Sequence, residues 1–309
     1  VYVIAEAAGS HCQDYNKAEA LVRAAAAAGA DAVKFQLITP ESICADIPLS
    51  FGVDALHDAW LRRLGATRMR ELFTQGGLSQ VWCVPLKSLA ESLGLAWLCT
   101  PFSVSEAMFL VEDVGVHALK IASGDLTFTP LLTYAARTGI PLILSTGGAT
   151  EIEVCEALAI INQRSGRNTS AFCDQVALLH CRSIYPCADI WTNLRVIQCF
   201  QKNMRVGAVG WSDHTVSTDL VPALAVAMGA TVIEKHLCLE GDIMSVDASH
   251  SLSPRHFAAM VRTVRAVPCI LGNGEKQPHR AELHDRLWAR RSPTDWLRPT
   301  DEARAGRWA

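Results

Sequence analysis

Hydrophobic positions along this chain fall into eight short, nearly continuous apolar runs, and stretches with helical spacing separate them. The runs are Val1–Glu6, Asp31–Gln36, Leu95–Thr100, Ala118–Ala122, Pro141–Ser145, Val176–Cys181, Val206–Trp211 and Ala230–His236. Apolar runs without regular polar alternation suit strands covered on both faces, as in a parallel sheet. Between them, Tyr15–Ala28 is alanine-rich and Gly29 is placed to stop it. Ser103 with Glu106, and Thr150 with Glu153, have the spacing of a capping box. Ser253 and Pro254 read as an N-cap and first helical residue ahead of Arg255–Val267. Eight strand–helix units in strict alternation predict an α/β fold, a (β/α)8 TIM barrel forming one catalytic domain over residues 1–271. No G-x-G-x-x-G follows a strand, which removes the usual dinucleotide fingerprint. Pro40–Gly94 is longer than a plain crossover and is expected to hold extra helical turns above the barrel.

Composition changes this picture little. A length of 309 residues with 50% hydrophobic content suits one barrel, and a formal charge of −3 leaves no basic footprint for nucleic acid. The longest apolar stretches are strand-length or carry charges, so no membrane span is expected. Val1–Ala8 is too short for a secretory signal and contains Glu6. The eleven cysteines are scattered, odd in number and without a C-x-x-C pair. That pattern predicts reduced thiols in a cytoplasmic protein rather than disulfides or a zinc cluster.

Candidate chemistry follows from the barrel, because reactive groups of this fold belong where strands emerge at their C-terminal ends. Those exits carry Glu6; Lys34 with Gln36; Thr100; Lys120, Ser123 and Asp125; Ser145 and Thr146; His180, Arg182, Ser183 and Tyr185; Ser212, Asp213 and His214; Glu234, Lys235 and His236. Any one of these reads equally well as a satisfied strand-end polar group. As a set, two lysines and two histidines converge on one mouth. Lysines with several hydroxyls suit a small, multiply charged anion such as a phosphorylated acid. Gly124 and Gly147 let backbone N–H groups approach a phosphate. His214 and His236 end neighbouring strands, so they either share a divalent metal or are two hydrogen-bonded structural histidines.

The same residues lie in stretches that resemble the sialic acid synthase family, which includes neuraminate, pseudaminate and legionaminate synthases. These are IAEAAGSHCQD with AGADAVKFQ, then CTPFS, LKIASGDLT, ILSTGGAT, LLHCRSIYP, VGWSDHT and GATVIEKH, in order over roughly residues 1–291. The resemblance implies a phosphoenolpyruvate-dependent transferase that forms a carbon–carbon bond with an open-chain N-acyl amino sugar. Its products would be a 2-keto-3-deoxy sugar acid and phosphate. Lys34, Thr100, Lys120, Ser123, Ser145, Ser183 and Ser212 match positions that hold phosphoenolpyruvate. His214 and His236 match the ligands of a divalent metal, Mn2+ or Mg2+. Glu6, Asp125, Tyr185 and Asp247 match catalytic positions facing the sugar and its aldehyde. A homodimer is also implied.

Departures from the family pattern cluster around the sugar side. Ser10–Gln13 replaces the common N-H-N-G or N-H-N-Q; Arg182 replaces a small hydroxyl residue, and Gly148 a methionine. The loop Ser245–Leu252 lacks the D-H pair of neuraminate synthases and, with Gln13, is closer to the pseudaminate pattern, whereas Ser123–Asp125 is of the neuraminate type. Arg182 reads either as a sugar-side cation or as a solvent-facing charge. Residues 272–309 are expected to be a linker and tail without a complete antifreeze-like domain. Two other readings compete: a Schiff-base aldolase using Lys34 or Lys120, and a non-catalytic barrel that binds a sugar or a partner protein.

Overall fold

The computed structural model describes residues 1–48, 65–165, 174–243 and 245–307. Strands β1 (Tyr2–Glu6), β2 (Ala32–Leu37), β3 (Ala96–Pro101), β4 (Leu119–Ile121), β5 (Leu142–Ser145), β6 (Val176–Cys181), β7 (Ala208–Asp213) and β8 (Val232–His236) lie within two residues of the eight apolar runs. All ladders are parallel, in the order β3-β2-β1-β8-β7-β6-β5-β4. The two ends of that order, β3 and β4, pack side by side, with no ladder between them among the described residues. The chain therefore forms the expected TIM barrel. Helices carry each crossover, including Tyr15–Ala27, Gln80–Ser92, Thr129–Thr138, Glu151–Arg164, Arg195–Asn203 and Leu220–Ala227, and Pro254–Leu271 follows β8.

Sequence signals explain where several helices begin and end. Asp14 caps Tyr15–Ala27 by accepting from the Asn16 backbone N–H at 2.8 Å, and Gly29 follows with φ of +82°. Thr150 and Glu153 form the expected reciprocal box. Ser103 forms only half of one. Its hydroxyl accepts from Glu106 N, but the Glu106 carboxylate bonds the backbone N–H groups of Thr39 and Phe102, both at 2.7 Å. Glu106 thus ties the β2 exit to the β3 exit. Extra turns do occupy the β2–β3 connection, at Pro40–Ile43 and Met69–Gly76; residues 49–64 of it lie outside the described set.

Strand side chains alternate between two environments, as the period of two demands. One set faces outward and packs under the helices, including Val3, Val33, Phe35, Trp97, Leu119, Ile121, Leu144, Leu178, Trp211 and Ile233. The other faces the barrel axis: Ile4, Ala32, Leu98, Ile143, Leu179 and Val232, with Ala96, Ala118, Ala177 and Ala208 beside them. This inner plug closes the N-terminal half of the barrel and leaves only the C-terminal mouth for polar chemistry.

The chain divides into two compact units, Val1–Cys269 and Ile270–Ala309. Within the second, Leu283–Ala289 and Asp301–Arg304 are helical, and Thr300 N donates to Leu287 O at 3.1 Å. Arg304 makes a two-pronged contact with Asp295, at 2.6 and 2.9 Å.

Candidate active site

Side-chain parity sorts the strand-end polar residues into two groups. Glu6, Lys34, Gln36, Thr100, Lys120, Ser145, Cys181, Ser212, Glu234 and His236 occupy axis-facing positions, and with Ser123, Tyr185, His214 and Asp247 they line one cavity. Its volume is about 180 Å3, below the several hundred common for drug-sized ligands. A compact, multiply charged guest suits that space.

The floor of the cavity is an ionic lattice. Lys120 Nζ lies 2.9 Å from Glu234 Oε2 and donates to Ser145 Oγ at 2.6 Å. Lys34 Nζ pairs closely with Glu6, donates to Thr100 Oγ1 at 3.3 Å and lies 3.7 Å from Glu234. Ser212 Oγ donates to the other Glu234 oxygen at 3.0 Å, and Gln36 Nε2 donates to Glu6 at 3.2 Å. All four charged groups are at most 5% exposed. Burial disfavours the charge on each. At Glu234, the Lys120 and Lys34 ammoniums outweigh burial and hold the carboxyl at about 2. At Glu6, burial dominates and pushes the carboxyl up to about 7 despite Lys34. Burial also lowers Lys120, whereas Glu234 and Glu6 overcome it at Lys34 and raise that ammonium.

The second group points outward. Lys235 Nζ pairs with Asp213 at 3.0 Å behind the strands, and both side chains are fully buried. The Asp213 carboxylate also accepts from Thr215 N at 2.8 Å. His180 Nε2 lies 2.8 Å from Thr192 O, with its ring 5.0 Å from Trp211; burial lowers it to about 4, so it is a neutral core residue. These exits, grouped with the mouth in the sequence reading, do not line the cavity.

Above the lattice stands a cluster of rings. His214 and His236 are 5.4 Å apart, His236 and His250 4.4 Å, and Tyr185 packs 4.2 Å from His214 and 5.2 Å from His250. His214 Nδ1 contacts the Arg182 carbonyl at 2.7 Å, which leaves Nε2 for another partner. The buried His236 Nδ1 has no hydrogen-bond partner among the described residues. Asp247 reaches in from the loop after β8 and accepts from Gly9 N at 3.1 Å.

Two predicted site residues, Asp125 and Ser183, stand apart from this cavity or at its margin. Asp125 is half-buried but does not line it; burial, with Glu106 nearby, raises its carboxyl to about 6. Ser183 is exposed at the rim, where its hydroxyl sits against Gly147. Gly147 N donates to Ser123 Oγ at 2.9 Å, so this N–H, expected to face a phosphate, instead orients a serine. A Cβ at Gly147 would press on Ser183 Oγ and lie 3.0 Å from Ser123 Oγ. Arg182 Nε donates to the Trp191 carbonyl at 2.9 Å. Gln13 donates to backbone carbonyls of Thr74 and Gln75, at 3.0 and 3.3 Å, and of Gly77; it latches a loop. Glu234 and His250 carry central contacts that the sequence reading left without a role. For Glu234 the alternation along β8 was the available signal; for His250 there was none.

A profile of the NeuB family matches residues 21–276. The chain is 36% identical over 293 residues to N,N'-diacetyllegionaminic acid synthase of Legionella pneumophila, covering 95% of this chain and 79% of that protein. It is 32% identical over 295 residues to pseudaminic acid synthase of Campylobacter jejuni, covering 94% and 80%. The crystal structure of N-acetylneuraminic acid synthetase from Leptospira borgpetersenii, in complex with citrate, superposes with a TM-score of 0.76 at 30% identity, over 92% of this chain and 90% of that one.

Proposed function

The chain belongs to the NeuB family, and from that premise we propose that it condenses phosphoenolpyruvate with an open-chain N-acyl amino sugar. The products are a 2-keto-3-deoxy sugar acid and inorganic phosphate. One observation carries the reading: two buried ammoniums, Lys34 and Lys120, share a small cavity with Thr100, Ser123, Ser145 and Ser212, directly beneath a histidine cluster.

In this reading Lys34, Lys120 and the serine and threonine hydroxyls bind the phosphate and carboxylate of phosphoenolpyruvate, with Ser183 closing over them from the rim. Glu234 holds the two lysines in place before the anion arrives, so little reorganisation is needed on binding. The Glu6 carboxyl, pushed up to about 7, is poised to exchange a proton with water adding at C2. As a carboxylate it takes the proton that this water loses and can then return it to the departing phosphate. Tyr185, Asp125 and Asp247 are assigned to the sugar side, where the C1 aldehyde meets C3 of the enol.

The residues also fit a divalent metal. His236 keeps a buried ring nitrogen without a partner among the described residues, and the Arg182 carbonyl orients His214, as hydrogen-bond acceptors commonly orient metal-bound imidazoles. When bound, the ion would polarise the aldehyde oxygen as a Lewis acid. His214 and His236 are the side chains assigned to hold it, with Mn2+ or Mg2+ as the expected ion.

The deciding experiment supplies phosphoenolpyruvate and Mn2+ with a panel of N-acyl hexosamines and diamino sugars. The expected result is phosphate release with one sugar and a product that has gained a pyruvyl unit by mass spectrometry. No phosphate release with any aldose would favour a non-catalytic barrel. Lys120, whose ammonium burial lowers, is the lysine a Schiff-base aldolase would use; borohydride trapping of substrate on the protein would support that route instead.

A further inference from the structure

Two glutamates share the capping-box spacing, and they use it differently. Glu153 is only half-buried and returns to its own cap, accepting from Thr150 N at 2.7 Å. Glu106 is 1% exposed and reaches past its cap to two strand exits. No step of the proposed reaction uses it. We propose that Glu106 is a positioning residue for phosphoenolpyruvate: it fixes the end of β3, and through it Thr100, beside the seam between β3 and β4. This rests on the reading that the mouth binds phosphoenolpyruvate, and deepens it by naming the group that holds one wall of the anion site.

The need arises from the ladder pattern. β3 is hydrogen-bonded to β2, with Gln36 opposite Thr100 and Leu37 opposite Pro101 as the last pairs. On its other side it packs against β4 with no ladder among the described residues. Backbone hydrogen bonds on one side only leave a strand exit easier to displace. Thr100 stands at that exit, where it lines the cavity and its hydroxyl accepts from Lys34 Nζ at 3.3 Å.

Glu106 supplies the missing restraint. It lies on the short helix Val104–Met108, which begins the crossover from β3 to β4. One carboxylate oxygen accepts from Phe102 N, immediately after β3, and the other from Thr39 N, two residues after β2, both at 2.7 Å. The clasp joins the two strands just beyond their last ladder pair. Ser42 Oγ lies 3.2 Å from the oxygen that takes Thr39 N. Bonds from backbone N–H groups to a carboxylate are about twice as strong as neutral ones, so this clasp is stiff. Any shift of Phe102 would carry Thr100, two residues back, away from Lys34. The same carboxylate is felt across the seam, where burial first and Glu106 second raise Asp125, just beyond β4, to about 6.

The test measures phosphoenolpyruvate binding to the full chain by titration calorimetry, at a temperature where circular dichroism shows every variant folded. Glu106→Gln keeps the size but turns one acceptor into a donor, so Thr39 N or Phe102 N loses its partner. It should weaken phosphoenolpyruvate binding by about 10-fold, as Thr100→Val should on its own. Because the two act on one contact, the double variant should lose about 10-fold rather than the product of about 100-fold. With any sugar of the panel that turns over, KM for phosphoenolpyruvate should rise in Glu106→Gln while kcat changes little. Should Glu106→Gln not fold, Glu106→Asp, one methylene too short to reach both exits, carries the same cycle. Affinity within about 2-fold of the unaltered protein, or losses that multiply in the double variant, would overturn the inference and leave phosphoenolpyruvate binding standing. Absence of phosphoenolpyruvate binding by the unaltered protein would remove both.

Discussion

The ends of β7 and β8 hold two lysine–carboxylate systems within a few residues of each other, and the two have opposite characters. Glu234 faces the axis and meets Lys120 and Lys34 in a cavity lined by hydroxyls. Lys235, the next residue, faces away and meets Asp213 where neither side chain is exposed at all. Both are buried ion pairs, yet only one has donors left over and space for a guest. Buried charge is therefore no guide to function by itself; the side of the strand decides.

The same substitution on each side separates these roles. Lys120→Met should lower phosphate release from phosphoenolpyruvate by about 10³-fold with only a modest fall in melting temperature. Glu234 would still be neutralised by Lys34, 3.7 Å away. Lys235→Met should instead destabilise the fold by about 3 kcal/mol, because the buried Asp213 carboxylate loses its cation and keeps the neutral Thr215 N–H. Chemical denaturation would measure it, and kcat of the folded fraction should stay within a few-fold. A catalytic loss in Lys235→Met at unchanged stability would erase the distinction.

A smaller effect should appear in pH dependence. His180 has a folded pKa near 4 against an ordinary value of 6.5, caused chiefly by burial. Between those values the unfolded chain binds a proton that the folded chain refuses. Its stabilising share is thus complete above pH 6.5 and lost as pH falls toward 4. His180→Asn should flatten the stability curve over that window by about 3 kcal/mol relative to the unaltered chain. Equal slopes for the two proteins would show that His180 is already charged or already exposed. The smallest effect belongs to Gly147→Ala, where the added methyl crowds Ser183 and Ser123. KM for phosphoenolpyruvate should rise about 10-fold with kcat little changed; the reverse split would place these serines in the chemistry rather than in binding.

Much of this was legible in the residues. Near-continuous apolar runs mark strands covered on both faces, and all eight were found because that burial leaves no room for polar interruption before the strand exits. Lys34, Thr100, Lys120, Ser145, Ser212, His214 and His236 could be placed at one mouth for the same reason. Ser103–Glu106 was only half right, since the glutamate found backbone donors on two strand exits instead of its own cap. His180 was grouped with the mouth although the alternation along β6 turns it outward, with its ring near Trp211 and Phe200.

The sequence by itself determined the fold and the sign of the chemistry, because strand and helix periods are local properties and the strand exits follow from them. Only the tertiary structure decided which charges cooperate. The partnership of Glu234 with Lys120 spans 114 residues, and that of Asp247 with Gly9 spans 238. Such contacts are set by barrel register and loop closure, which no local pattern encodes. His250 shows the limit most clearly: its ring lies 4.4 Å from that of His236 only because an isolated bridge between Leu237 and Leu252 holds its loop beside the end of β8.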